Sequence, residues 1–173
     1  MADLAEQLRA IARNCKGAKA AAEGLPAGFG QVDDIVVLLQ PIRLTRARDD
    51  EAALESTLRR ISEKKFLTGT QTIGEGGVWA ALVCGCAAAG HGFHVELSEN
   101  EGASAEEALL AARGGSALVS ARPKAHLPLA NFVERGGEFT AEAIGRVTAR
   151  DVRVNWMGET LFETTDLRSN QND

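Results

Sequence analysis

The stretch Gln71-Thr72-Ile73-Gly74-Glu75-Gly76-Gly77, running straight into Val78-Trp79-Ala80-Ala81-Leu82-Val83, constrains this chain more than any other. Thr70 to Ile73 reads as a short strand. The glycines that follow permit backbone conformations closed to other residues, as a tight strand-to-helix turn requires. From Gly77 to about Ala89 nearly every residue is small or apolar. Such a helix must bury most of its circumference. It needs a sheet on one side and more protein on the other.

The flanking segments supply that sheet. Asp34 to Gln40 is a short continuous apolar run, as in a strand covered on both faces, and Pro41 ends it. A helix opening at Asp49 or Asp50 carries Ala53, Leu54, Leu58, Ile61 and Phe66 at helical spacing and stops at Gly69. Phe93 to Leu97 alternates like a half-buried strand. Ser104 to Ala112 is a helix with a Ser104–Glu107 capping box and Gly114 as its stop. Ser116 to Ala121 is a strand and Leu127 to Val133 a short helix. Glu142 to Thr148, Val152 to Trp156 and Thr160 to Thr164 are expected to form a β-meander, turning at Met157-Gly158. The fold class expected is therefore α/β (α+β), a mixed sheet covered by helices. Upstream, residues 3–15 form an amphipathic helix with Leu4, Leu8, Ile11 and Cys15 on one face, and Asp3 with Glu6 is a variant capping box. Lys16 to Gly30, rich in Ala and Gly, reads as a loosely held connection. The expected organisation is a helix and linker over 1–31, one domain over 32–168, and a tail over 169–173.

At 173 residues and 18.3 kDa the chain suits one domain. Its formal net charge of −5 asks for neither nucleic acid nor an anionic membrane as partner. Cys15, Cys84 and Cys86 are too few for a disulfide framework, so a reducing compartment is expected. The N-terminus is acidic where a signal peptide is basic, and Val78 to Ala89 falls short of the roughly 20 residues of a membrane span. A soluble, cytoplasmic protein is the expectation. No metal site is expected: Cys84 and Cys86 point to different sides of a helix, and His91 and His94 to opposite faces of a strand. No nucleophile and base stand in a recognisable arrangement, so no catalytic residue is assigned. Arg59-Arg60 and Lys64-Lys65 belong to a solvated helix face, Trp79 to the core, and Trp156 to hairpin packing or an interface.

The candidate site is the turn itself. Free N–H groups at a helix start, aided by the helix dipole, accept a phosphate or carboxylate. Gly74, Glu75, Gly76 and Gly77 would form that cradle, and Arg43, Arg46 and Arg48 would close over it if the first strand neighbours the glycine strand. Equally, the glycines serve only the tight turn, Glu75 is a favourable helix-start residue, and the arginines are solvated. The residues alone leave both open.

The order of these segments resembles the C-terminal domain of the AIR synthase superfamily, and within it formylglycinamidine ribonucleotide synthetase most. The matching parts are Ile73-Gly74-Glu75-Gly76-Gly77-Val78-Trp79-Ala80-Ala81-Leu82, then Ala88-Ala89-Gly90-His91-Gly92-Phe93-His94-Val95-Glu96-Leu97. Ala108-Leu109-Leu110 before Gly114-Gly115-Ser116, Ile144-Gly145-Arg146-Val147 with Val152-Arg153-Val154, and Asp166-Leu167-Arg168 also fit. The sequence departs from the family in four ways. Gln71, Thr72, Gly74 and Glu75 stand where the family often has a His-Asp-x-Ser-Asp series. Pro41 to Arg48 replaces a Gly-rich substrate loop. Ala111, Ala112 and Arg113 occupy the place of an acidic residue. The family's N-terminal ATP-binding domain is expected to be absent. The resemblance then implies a stand-alone, non-catalytic relative acting in binding or assembly, without a cofactor of its own. Its partner would be a second copy or another protein, and a phosphate-bearing small molecule is a possible ligand. The alternative it implies is one half of a split ATP-dependent synthetase, or a fragment of one, an amide-to-amidine ligase binding a phosphoribosyl substrate, with ATP and Mg supplied through the partner subunit.

Overall fold

The structure, a computed structural model, describes residues 3–42, 47–87 and 89–167. Along the chain the elements are α1 (Leu4–Arg13), β1 (Ile35–Pro41), α2 (Ala47–Glu63), β2 (Gly69–Thr72), α3 (Gly77–Ala87), β3 (Gly92–Leu97), α4 (Ala105–Leu110), β4 (Ala117–Ala121), α5 (His126–Arg135), β5 (Phe139–Thr148), β6 (Val152–Trp156) and β7 (Glu159–Thr164). The strands form one mixed sheet in the order β2-β4-β1-β5-β3-β6-β7. All its pairs are antiparallel except β3 with β6.

β1 sits in the middle and is buried on both faces, as its continuous apolar run predicts. Val36 and Leu38 join a core shared with α1, α3 and α4. Val37 and Leu39 join a second core against α2 and α5. Period-two alternation in one strand thus feeds two layers. The all-apolar helix α3 lies under α1 and α4, with Trp79 fully buried edge-on to Phe93 and Phe162 at ring separations of 5.6 and 5.2 Å. Ser104 caps α4 by accepting from the Glu107 N–H, as the capping box predicts.

Several expectations are corrected. Residues 16–30 are not loosely held. The Gly28 N–H donates to Thr70 O (2.8 Å), Phe29 N–H to Gly85 O (2.7 Å) and Thr72 N–H to Lys19 O (3.1 Å), and Phe29 is fully buried. Helix α1 is likewise part of the core: Leu8 is inaccessible, and its carbonyl accepts the Trp79 indole N–H at 2.8 Å. Asp3 makes no side-chain cap there. Cys15 and Cys84 form a disulfide, with Cα atoms 5.6 Å apart, a separation ordinary for that bond. The reading of three cysteines as too few for a disulfide framework did not anticipate this bond. The last three strands are not one meander either. β6 and β7 form the expected hairpin, but β3 stands between β5 and β6. Trp156 is partly buried against the core.

Candidate functional site

β2 delivers the glycine turn, and its polar residues are already engaged. Gln71, 4% exposed, accepts the Lys19 N–H through Oε1 at 2.9 Å. Thr70 Oγ1 accepts from Ala21 N–H (3.0 Å) and donates to Pro26 O (2.8 Å). These side chains fasten residues 19–26 to the sheet edge instead of facing a ligand.

Beyond them Gly74 and Glu75 are exposed, while Gly76 and Gly77 take left-handed φ values of 85° and 63°. The Gly77 N–H donates to Gly74 O at 3.0 Å. A Cβ on Gly77 would lie 2.6 Å from Leu109 O and 2.8 Å from Ala111 O, and one on Gly76 2.7 Å from Ala80 Cβ and 3.3 Å from the Ile11 side chain. The side of Gly77 where a Cβ would stand therefore lies against the backbone at the end of α4. α1 closes over the same turn.

The arginines do not complete the cradle as anticipated. β1 is not the neighbour of β2, because β4 lies between them. Leu39 and Thr72 do both pair with Ala117, so the two strands end at the same edge of the sheet. Arg43 and Arg46 lie outside the described residues, and the Arg48 side chain does as well.

At that end the structure assembles a polar cluster that the sequence reading missed. Arg113, where the family resemblance leads one to expect an acid, donates to Gln40 Oε1 at 2.7 Å, to the Glu101 carbonyl and to Ala108 O at 3.2 Å. Burial holds its pKa below the usual arginine value, against the attraction of Glu101 and Glu107. Glu101 is 4% exposed, and its Oε2 accepts from the Ser98 N–H (2.6 Å) and hydroxyl (3.1 Å). Its other oxygen is buried, and the Glu142 carboxyl of β5 lies within hydrogen-bonding reach of Glu101. A hydrogen bond shared with Glu101 raises the Glu142 carboxyl to about 7, burial and the Glu101 charge adding to it and the Asn100 side chain opposing it. A carboxyl beside another carboxylate holds its proton to higher pH, because close like charges disfavour ionisation. No local spacing signals this pair, which comes from a loop and a distant strand.

The C-terminal-domain model of AIR synthase related proteins matches residues 34–157. The chain belongs to this family. No curated protein sequence matches it significantly. Among solved structures, Thermotoga maritima PurL complexed with ATP superposes with a TM-score of 0.72 at 14% identity, over 83% of this chain and 26% of PurL. T. maritima PurL complexed with FGAR gives 0.68 at 12% identity, over 84% and 29%. E. coli HypE, a hydrogenase maturation protein, gives 0.55 at 21% identity, over 78% and 49%. At such identities these likenesses establish the fold. The chain spans about a quarter of the PurL chains and about half of HypE. Among the described residues no helix is long and apolar enough to cross a membrane.

Proposed function

We propose that this AIR synthase C-terminal domain is a non-catalytic relative that acts by binding or assembly. The observation that carries the reading is the closed turn. Gly77 packs against the backbone at the end of α4, Gly76 lies under Ile11, and Arg113 is tied down by Gln40, Glu101 and Ala108. The packing of Gly76 and Gly77 against α1 and α4 supports a structural role for the turn. In this reading the chain needs no cofactor, meets a second copy or another protein, and works in the cytoplasm.

Incubation with magnesium ATP, formylglycinamide ribonucleotide and ammonia, followed by ADP detection, tests it directly. No turnover and no magnesium-dependent nucleotide binding are expected. Turnover abolished by Gly76→Val would overturn it. The likeness to PurL supports a second reading, in which the chain is one half of a split ATP-dependent synthetase. Under that reading a co-purifying partner would restore nucleotide binding and turnover, with ATP and Mg held through the partner.

A further inference from the structure

The sheet carries a feature well away from the glycine turn. Ile35 pairs with Arg146, Arg146 with His94, His94 with Arg153, and Arg153 with Glu163. Directly opposed residues share a face, so β1, β5, β3, β6 and β7 contribute one transverse row. It lies on the α2–α5 side, because Phe93, Val95, Val152 and Val154 fill the other side. The buried cluster on the α2–α5 side contains no residue of β3, β6 or β7, so this half of the face is bare of core among the described residues. A shallow depression of about 430 Å³ is found there, lined by Ile35, His94, Arg146 and Arg153 and also by Glu96, whose Oε1 accepts the Gly158 N–H at 2.8 Å.

The charges in this row are poorly satisfied. Arg146 gives one hydrogen bond to Asp33 (3.3 Å) and Arg153 one to Glu163 (2.8 Å), both exposed pairs of the kind that contribute little and exchange readily. Most of each guanidinium's donors are without a partner among the described residues. His94 between them is half-buried, and neither ring nitrogen has a hydrogen-bond partner among those residues. Burial first, then Arg146 and Arg153, hold its pKa below the ordinary histidine value, while Asp151 and Glu163 act the other way.

We propose that Arg146, His94 and Arg153 form a binding site for a small phosphate-bearing anion. The two arginines stand two strand spacings apart, roughly 10 Å. Long guanidinium side chains can converge across that gap on one tetrahedral group, each donating at about 2.8 Å. The imidazole beneath would complete the contact and gain its proton, because the anion cancels the repulsion of its neighbours. This site is separate from the closed turn and does not depend on the loss of catalysis there.

NMR titration of the His94 ring with inorganic phosphate, against chloride at matched ionic strength, tests the proposal. His94→Gln identifies the signal among the three histidines. The expected result is a saturable shift with an upward move of the His94 pKa. Arg146→Ala and Arg153→Ala should each weaken binding about tenfold or more, as for a lost charge-assisted hydrogen bond. Circular dichroism verifies that both variants remain folded, and Arg153→Lys should retain part of the affinity. A shift that never saturates, equals that in chloride, or survives both alanine variants would overturn it. Saturation by an acidic peptide with none by phosphate would overturn it as well.

Discussion

Gly77 answers to two constraints at once. Its φ of 63° is costly for any residue with a Cβ, and the space a Cβ needs is occupied by Leu109 and Ala111 carbonyls. Gly77→Ala should therefore destabilise the fold by more than about 2 kcal/mol in urea unfolding. Gly74→Ala, in open space with ordinary φ, should stay within about 0.5 kcal/mol and serve as the control. Glu142 makes a pH prediction of definite sign. Its folded pKa is raised from 4.5 to about 7, so the protonated form is the one the fold favours. The stability it contributes is complete below pH 4.5 and is lost as pH rises through about 7. Glu142 is half-buried, so the effect is on the order of 1 kcal/mol once solvent screening is allowed for. Urea midpoints measured from pH 5 to pH 8 should fall with pH in the native chain and flatten in Glu142→Gln. An unchanged slope in the variant would show that Glu142 is not the group responsible.

Among the elements, α1 is the most informative. Its apolar stripe is legible in the sequence, but nothing in a stripe says which surface it covers. Here it covers α3, through Leu8, the Trp79–Leu8 hydrogen bond and the Cys15–Cys84 disulfide. That disulfide closes a span of 69 residues, so reduction or Cys15→Ser should lower stability by roughly 2–4 kcal/mol. The buried Trp79 contacts should keep α1 docked, and tryptophan fluorescence before and after reduction measures this. A large red shift on reduction would show that the disulfide alone holds the helix. The connection after α1 was illegible for a different reason. Ala/Gly-rich sequence carries no side-chain pattern, and what fixes residues 19–29 is backbone hydrogen bonding to Thr70, Thr72 and Gly85. The strand and helix types were readable because periodicity reports local burial. The insertion of β3 between β5 and β6 was not, since local patterns do not record which strands become neighbours. The Glu101–Glu142 pair escaped notice on the same ground.

For the whole molecule, the two ends of the sheet differ. At β2 the Ala27–Thr70 bridge and the Gly28 N–H occupy the outer backbone groups of the strand. At β7 the outer side is without a strand partner among the described residues, guarded only by charged and exposed residues such as Glu159 and Glu163. Growth of a fibre by strand addition needs two adhesive edges per molecule. Among the described residues the sheet offers one such edge, and pairing of β7 with the β7 of another copy would use both. Covering the β2 rim with the Ala27-Gly28 segment thus works against repeated strand addition and leaves β7 as the edge through which a pair would form.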